Sequence, residues 1–575
     1  MDSFRLVCFI TLLGSCLLSA CSQTLEAPAE AWQIPADAGE VGEQGMVSSA
    51  HPLATQVGLE VLKRGGNAFD AAIAVNYALA VVYPVAGNLG GGGFLVYRKA
   101  DGEIGSLDYR EMAPAAAARD MYLDQAGDPV AEWSRYGHKA SGVPGTVAGM
   151  EAIFERLGSL PREQLLQPAI DLAEQGFELT ENEADRFNGV QKEFRKYNRQ
   201  DFYYLRGEAW EMGDRVQHLD LAKTLARIRD NGQPGFYEGE TADLIVEEMK
   251  AGGGLITHED LKEYEAKWRE PITGNYKGHR IISMPPPSSG GVALLQLLEG
   301  AEAYPVSDWG HNSAQYVHLM VELERRVYAD RATYLGDMDF FEVPLEELID
   351  SAYIHDRMAS ISLTEKTNSQ DIKPGEVDRI ESFETTHFSI VDKEGNAVAI
   401  TTTLNSYFGS KVMVQGAGFF LNNEMDDFSA KPGVPNQFGL VGGEANAIQP
   451  GKRMLSSMTP TIVEKDGELH MVVGTPGGAT IITCVFQTIL NVLEFDMGMQ
   501  AAVDAKKIHS QWLPDQVYVE TRALTPADSA SLRQMGHELT PRSALGRMDC
   551  ILVLPNGWLE GGADHSRGDN TAMGY

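Results

Sequence analysis

The first part of the chain carries apolar residues at helical spacing, separated by polar and glycine-containing stretches. A stripe of apolar residues with a period of about 3.6 predicts an amphipathic helix, and a largely apolar stretch predicts a buried one. The first such segment stops at Arg64-Gly65-Gly66, as helices that end on glycine do. The predicted helices are residues 54–63, 68–82, 146–157, 163–175, 219–231, 240–251 and 314–335.

From Phe388 onward the pattern changes to short runs rich in β-branched and aromatic residues, with turn residues between them. Three such runs, residues 416–422, 461–464 and 469–474, predict strands. Helices combined with two sets of strands point to a layered fold of mixed α and β structure.

Residues 385–405 are the most informative run, because two arms rich in apolar residues and Thr flank a polar stretch with Gly. This pattern predicts a β-hairpin with a short loop. Thr385 and Thr403 are equidistant from Glu394, so a turn centred there places them opposite each other, with Cβ atoms roughly 5 Å apart. At that separation one hydroxyl can hydrogen-bond the other.

A Thr hydroxyl is a poor nucleophile unless a base lies beside it, and in one class of enzymes that base is the residue's own free α-amine. Such an amine requires a chain cut. Residues 365–376 are polar and contain Pro374-Gly375, which predicts a loop before the hairpin. Cleavage between Glu384 and Thr385 would give Thr385 the free amine that it needs.

Several motifs occur in a fixed order around this hairpin. They are residues 87–94 (GNLGGGGF), 108–114 (DYREMAP), 142–146 (GVPGT), 284–291 (MPPPSSGG), 385–387 (TTH), 422–429 (NNEMDDFS), 456–458 (SSM) and 476–478 (PGG). With these motifs the chain resembles the γ-glutamyltranspeptidase (glutathione hydrolase) family of N-terminal nucleophile hydrolases, over nearly its whole length after the leader. Each motif alone is unspecific, but their joint order makes a chance match very unlikely.

The resemblance implies an α+β fold, a four-layer α/β/β/α sandwich of the N-terminal nucleophile hydrolase type, built from two self-cleaved subunits. Residues 46–384 would form the large subunit and residues 385–575 the small, catalytic one. It implies an enzyme that needs neither cofactor nor metal.

The resemblance also implies the roles of the reacting groups. Thr385 would first attack the preceding carbonyl to cut the precursor and then, with its freed amine as base, take an acyl group from the substrate. Thr403 would hydrogen-bond the Thr385 hydroxyl. Gly477 and Gly478 would offer backbone N–H groups to the oxyanion of the tetrahedral intermediate.

A γ-glutamyl group ends in a free α-amino acid, so its site must pair a carboxylate and an ammonium side by side. In the family pattern one set of residues grips the carboxylate and another receives the ammonium. The first set is Arg110, Ser456 and Ser457, and the second is Asn405, Glu424 and Asp427.

Three other interpretations are less favoured. His387 lies two residues past Thr385, on the same strand face, but the amine already fills the role of base. Asp426 and Asp427 suggest an acid–base pair, but neighbours in an extended segment point to opposite faces. Residues 90–93 suggest a dinucleotide loop, but no βαβ pattern frames them, so close packing beside a buried sheet is expected.

Two positions depart from some bacterial members of the family. In a lid loop expected at residues 432–443, Phe438 stands where some members have a Tyr, so lid hydrogen bonding and acceptor gating are not inferred from the family, while the chemistry beneath is unaffected. Glu384 replaces a Gln before the nucleophile, which affects the cleavage rate rather than the choice of bond.

The chain has 47 Lys and Arg against 81 Asp and Glu, a net charge of −34, which argues against a nucleic acid or an anionic membrane surface as partner. We interpret the excess as a solvated acidic shell, the alternatives being repulsion of anionic substrates or adaptation to a saline habitat. No Cys-x-x-Cys, His-Glu-x-x-His or Gly-x-Ser-x-Gly motif is present, which removes the simplest zinc and serine-hydrolase hypotheses.

Residues 1–20 form an apolar stretch too short for a membrane span and typical of an export signal. Leu18-Ser19-Ala20-Cys21 resembles a bacterial lipoprotein processing site, which would lipidate Cys21, and the alternative is a plain signal-peptidase site near Ala20. Residues 21–45 would be a tether, so we expect a periplasmic protein anchored by lipid to a bacterial membrane. The mature chain keeps only Cys21, Cys484 and Cys550, too few for a disulfide framework.

We therefore predict a self-processing enzyme that transfers the γ-glutamyl group of glutathione and related compounds to water, amino acids or peptides. Two rivals remain: a β-lactam (cephalosporin) side-chain acylase of the same fold, and a non-catalytic lipoprotein that binds amino acids or peptides.

Overall fold

A computed structural model describes residues 34–372, 385–566 and 568–575. The expected signal peptide, Cys21, most of the tether and Glu384 lie outside the described residues. Within these ranges, no helix is both long enough and apolar enough to cross a membrane. Cys484 and Cys550 are both buried, and neither forms a disulfide bond with another described residue.

Two antiparallel sheets of seven strands each form the centre of the molecule. The strands of the first sheet, in spatial order, are Thr571–Gly574, Met46–Ser49, Thr386–Val391, Ala397–Thr403, Gly92–Arg98, Ile104–Tyr109 and Lys267–Arg269. The strands of the second sheet are Glu40–Gly42, Leu559–Ala563, Asp549–Val553, Glu468–Val473, Thr461–Lys465, His279–Ser283 and Ile272–Tyr276. Each sheet contains strands from both sides of the expected cleavage point.

Alternation along the strands of the first sheet assigns each face to a different core. In strand Gly92–Arg98, Phe94 and Val96 pack in one core with residues of the second sheet, whereas Leu95 and Tyr97 pack in another with helices. Since successive side chains point to opposite faces, this sheet is covered on both sides. The strands are therefore buried throughout, as in the centre of a sandwich.

Helices form the two outer layers. The helices on the side of the first sheet are Pro52–Lys63, Ala68–Val82, Thr146–Leu157, Arg162–Gln175, Leu219–Asn231, Pro234–Tyr237, Gly239–Gly252 and His258–Lys262. The helices on the side of the second sheet are Gly290–Glu302, Ala314–Tyr334, Ser351–Met358, Thr480–Leu493, Met499–Asp504 and Pro526–Gln534. The order of layers is helix, sheet, sheet, helix, which confirms the predicted α+β sandwich.

Shorter elements connect these layers. The short helices are Ala131–Arg135, Glu181–Gly189, Gln191–Tyr197, Val306–Trp309 and Leu345–Leu348, and the 3₁₀ turns are His138–Ala140, Ser369–Asp371, Glu424–Asp427 and Glu444–Asn446. Two small sheets consist of Ile508–His509, Val517–Glu520 and Leu539–Arg542, and of Phe177–Glu178 and Arg215–Val216.

The seven predicted helices are all present, with ends within two residues of the predicted ones. The strand predicted at residues 416–422 was wrong, since that stretch has turns and isolated bridges. Gly416 and Gly418 lie at φ +75° and +79°, a conformation that breaks an extended strand. Helix Thr480–Leu493 was missed although Thr483, Gln487 and Asn491 repeat at helical spacing, because these polar residues are buried like the rest and the β-branched residues around them also suit a strand.

The Gly-rich motif packs under the hairpin and not around a nucleotide. Gly92 and Gly93 belong to the strand that pairs with Ala397–Thr403. A Cβ atom at Gly91 would press directly against the Thr403 carbonyl oxygen and would lie 2.7 Å from Asn88 Oδ1. Close approach of two backbones, as expected from the sequence, explains the glycine at this position.

We predict that Gly91→Ala lowers the free energy of unfolding by about 2 kcal/mol, because the added methyl group must displace the backbone at Thr403. Gly189→Ala is the control, because a Cβ atom there meets nothing within 4 Å, and we expect a change of at most about 0.5 kcal/mol. Urea unfolding followed by circular dichroism measures both. Equal stability of the two variants would contradict the packing argument.

Candidate active site

The hairpin brings the two predicted hydroxyls together at one end. Thr386 pairs with Thr402 and Phe388 with Ile400, so the same register places Thr385 beside Thr403. Thr385 Oγ1 lies 3.4 Å from Thr403 Oγ1. Thr403 Oγ1 also accepts a hydrogen bond of 2.7 Å from the amide of Asn405, which fixes its position. The expected hydroxyl pair is thus present.

A cavity of about 300 Å³ opens at this end of the hairpin. Nine of the ten residues that the sequence assigned to catalysis and substrate binding line its wall, and the tenth, Gly477, adjoins one of them in the chain. The lining residues are Arg110, Arg331, Thr385, Thr403, Asn405, Glu424, Asp427, Phe438, Leu440, Ser456, Ser457, Met458, Gly478 and Ile481. The motifs therefore converge on one place from distant parts of the chain.

Arg110 is the centre of a buried cluster of charges. Its Nη1 lies 2.6 Å from Glu424 Oε2, its Nη2 lies 2.5 Å from Asp427 Oδ2, and its Nε donates to the carbonyl of Met454. Burial alone would lower the pKa of Arg110, but the carboxylates of Glu424, Glu111 and Asp427 outweigh that effect and raise it. Burial raises the pKa of both Glu424 and Asp427, against the opposing effect of Arg110. A ligand cation would relieve this excess of acid groups.

Asp426 and Asp427 do not form an acid–base pair. They lie in the 3₁₀ turn Glu424–Asp427 and not in the extended segment that the sequence suggested. Asp426 accepts hydrogen bonds from Ser134 Oγ and the Gln437 amide, whereas Asp427 faces Arg110. The two carboxylates therefore bind different partners, and of the two only Asp427 lines the cavity.

Asn405 holds a left-handed backbone conformation, with φ of +73°. Its side-chain amide donates to the Asn423 carbonyl at 2.9 Å, and no described residue donates to its Oδ1. The orientation leaves Oδ1 as an acceptor for a ligand ammonium, next to the hydroxyl pair.

Ser456 and Ser457 lie on a loop fixed by its backbone. The Ser456 amide donates to the Pro287 carbonyl, and its own carbonyl accepts from the Ser289 amide and hydroxyl. Ser457 Oγ accepts a hydrogen bond of 3.1 Å from Arg331 Nη2. Arg331 was missed because it is one of several buried charged residues in a helix without a clear polar stripe, and no spacing distinguishes it from the others.

Gly477 and Gly478 precede helix Thr480–Leu493, with φ of +147° and +54°. Neither amide donates a hydrogen bond to another described residue. Two unused N–H groups near the start of a helix suit a developing oxyanion. A Cβ atom at Gly478 would lie 2.7 Å from the ring of Phe438, so glycine also leaves room for that ring in the cavity wall.

His387 contacts other groups than the proposed nucleophile. Its Nδ1 lies 2.8 Å from Thr401 Oγ1 and its Nε2 lies 3.1 Å from Ser389 Oγ. Burial lowers the pKa of His387 to about 3, so the ring is neutral at ordinary pH. These contacts do not support a role for His387 as the base. Among the described residues, no group of three or more His, Cys, Asp and Glu side chains is arranged to hold a metal ion.

We predict that Thr403→Val slows self-cleavage at residues 384–385 and later turnover by at least about 10-fold, because valine lacks the hydroxyl beside Thr385. Thr403→Ser keeps that hydroxyl and should retain most of the rate. Gel densitometry of cleavage and initial-rate assays test both. Equal rates for Val and Ser would exclude a role for the hydroxyl.

Comparison with known proteins gives one family over most of the chain. The family model described as Gamma-glutamyltranspeptidase matches residues 54–575. The Glutathione hydrolase proenzyme of Pseudomonas sp. (strain A14) is 47% identical over 544 residues, covering 93% of this chain and 94% of the relative. That of Escherichia coli (strain K12) is 44% identical over 568 residues, covering 98% and 97%.

Among solved structures, the cephalosporin acylase from Bacillus halodurans is similar, with a TM-score of 0.82 and 26% identity, covering 95% of this chain and 99% of that one. The fold is therefore shared with an acylase, whereas the sequence is closer to the glutathione hydrolases. With its matched length and its converging motifs, the chain belongs to the gamma-glutamyltranspeptidase family.

Proposed function

We propose that this protein is a self-processing γ-glutamyltransferase and glutathione hydrolase. The observation that carries the proposal is the Thr385–Thr403 hydroxyl pair beside the buried cluster of Arg110, Glu424 and Asp427, in a single cavity. Relatives named glutathione hydrolase proenzyme, 44% and 47% identical over nearly the whole length, support it.

Self-processing uses the hydroxyl of Thr385. Its Oγ1 attacks the carbonyl carbon of Glu384, the C–N bond breaks, and an ester replaces the peptide bond while the α-nitrogen becomes an amine. Water then hydrolyses the ester. The products are a large subunit that ends in a carboxylate at Glu384 and a small subunit that begins with Thr385.

The freed amine serves as the base in turnover. It takes the proton of Thr385 Oγ1 as the oxygen attacks the γ-carbonyl carbon of the substrate, and it returns the proton to the leaving amine. The amides of Gly477 and Gly478 stabilise the oxyanion. The γ-glutamyl ester on Thr385 is then attacked by water in hydrolysis, or by the amine of an amino acid or dipeptide in transfer.

Recognition depends on the two charges at the far end of the γ-glutamyl group. Asn405 Oδ1, Glu424 and Asp427 receive the α-ammonium, and Arg110 with the two serines receives the α-carboxylate. Because the cavity is small and its charged walls are buried, each substrate charge must meet a partner there.

The two subunits remain associated after cleavage as a heterodimer. Strand Thr386–Val391 of the small subunit pairs with Met46–Ser49 of the large one, and Ala397–Thr403 pairs with Gly92–Arg98. These backbone hydrogen bonds lie inside buried sheets, so the cut removes one peptide bond and leaves the sandwich intact.

We predict that the purified wild-type protein gives two fragments on denaturing electrophoresis and that the smaller one begins with Thr385. It should release anilide from γ-glutamyl anilide, faster when a dipeptide acceptor is added. Thr385→Ala removes the nucleophile and should remain one inactive chain, while Thr385→Ser should still cleave itself, more slowly. A single full-length wild-type chain without turnover would favour the non-catalytic binding protein instead.

The second candidate, a cephalosporin side-chain acylase, is favoured by the structural similarity to the Bacillus halodurans enzyme. An acyl side chain without an α-ammonium, for which a glutaryl group is a suitable probe, would leave Glu424 and Asp427 buried without a ligand cation. We therefore expect kcat/KM for a γ-glutamyl anilide to exceed that for a glutaryl anilide by at least about 100-fold. Preference for the glutaryl substrate would reverse the assignment.

We also propose that Cys21 is lipidated and anchors the enzyme to a bacterial membrane on its periplasmic side. The support is the sequence Leu18-Ser19-Ala20-Cys21 after an apolar leader. The wild type should sediment with membranes and incorporate labelled fatty acid, and Cys21→Ser should do neither while its soluble fraction keeps specific activity. Label in the Ser variant, or none in the wild type, would exclude the anchor.

A further inference from the structure

We propose that Arg331 is a second cation of the γ-glutamyl site and binds the α-carboxylate of the substrate directly, beside Ser457. The inference rests on the proposed function and deepens it, because none of the family motifs identified above includes this residue. It concerns the half of the substrate that carries the negative charge.

Arg331 lies near the end of helix Ala314–Tyr334 and lines the same cavity as Thr385. Its Nε donates to Ser289 Oγ at 2.8 Å and its Nη2 to Ser457 Oγ at 3.1 Å. The two hydroxyls fix the plane of the guanidinium. Its Nη1 has no hydrogen-bond partner among the described residues, although the side chain is only 4% exposed.

No carboxylate of the described residues forms a salt bridge with Arg331. Burial lowers the pKa of Arg331 to about 10, with small opposing effects from Tyr328 and Asp427, so the side chain is still a cation at neutral pH. A buried cation with only neutral hydrogen-bond partners is costly unless an anion joins it. A free guanidinium N–H group that lines a substrate cavity is therefore a site for an anion.

Arg110 is already paired with protein groups. Each of its three nitrogens faces an acceptor: Glu424, Asp427 and the Met454 carbonyl. Arg110 partly neutralises Glu424 and Asp427, which the α-ammonium of the substrate would otherwise have to neutralise alone. A substrate carboxylate that approached Arg110 only would meet this cluster of acids, whereas Arg331 forms no salt bridge with any described carboxylate.

The pair of substrates that separates the two roles is γ-glutamyl anilide and 4-aminobutyryl anilide, which lacks only the α-carboxylate. We expect Arg331→Gln to lower kcat/KM about 30-fold for the first and less than about 3-fold for the second. Arg331→Lys keeps the charge but cannot hold Ser289 and Ser457 at once, so it should fall between. Calorimetric binding of L-glutamate and of 4-aminobutyrate to the processed enzyme should show the same loss for L-glutamate alone.

Arg326→Gln is the matched control, since Arg326 is a buried arginine of the same helix that pairs with Glu322 and does not line the cavity. It should change both anilides by the same factor. An equal fall for both anilides in the Arg331 variants would make Arg331 a support for Ser457 and overturn direct binding. If Arg331→Gln fails to fold, Arg331→Lys decides the question. A Lys variant with the wild-type ratio of kcat/KM for the two anilides would also overturn direct binding.

The binding measurement separates this inference from the proposed function. Wild-type protein that binds L-glutamate through Arg331 but turns over no anilide would refute the enzyme and keep the carboxylate site. Wild-type turnover with L-glutamate binding unaffected by either Arg331 variant would keep the enzyme and refute the site.

Discussion

The antiparallel register between strands Thr386–Val391 and Ala397–Thr403 is the constraint on which the site depends. Side chains alternate between faces, so a slip of one residue would turn Thr403 away from Thr385. The sandwich prevents that slip, because Phe388 packs among helices on one face while Ala397 packs against the second sheet on the other. A hairpin covered on both sides has one register that satisfies both cores. The position of the proposed nucleophile, Thr385, is thus a property of the whole fold.

Burial gives the charges of the cavity their selectivity. Taking an ion out of water costs several kcal/mol unless a partner of opposite sign joins it. The cluster of Arg110, Glu424 and Asp427 contains two carboxylates and one guanidinium. Arg331, by contrast, is a cation that forms no salt bridge with a described carboxylate. A ligand with both an ammonium and a carboxylate pairs with the acid groups and with Arg331 at once. A ligand that lacks either charge leaves one of these two parts of the cavity without a partner.

Local spacing was enough to predict the hairpin, because equal distances of Thr385 and Thr403 from the turn determine their pairing. It was also enough for the amphipathic helices. It could not place Asp426 and Asp427, whose backbone is set by the turn they occupy and not by neighbouring residue types. Nor could it find Arg331, since a helix that is buried nearly all round gives no periodic sign of which side meets a cavity. Tertiary packing decides which distant segments meet at the site. The order of the motifs indicates that they meet, whereas the spacing of residues within one segment does not.

The interleaving of strands from both sides of the expected cut changes what unfolding means for this molecule. Before the cut, the two sheets form from one polymer, and every strand is tethered to its neighbours. Afterwards, Met46–Ser49 and Thr386–Val391 belong to separate molecules that must find each other by diffusion. Denaturation of the mature form then dilutes its halves, and reassembly depends on protein concentration. The lifetime of the mature enzyme is consequently a kinetic quantity, set by the rate at which the two subunits unfold and separate.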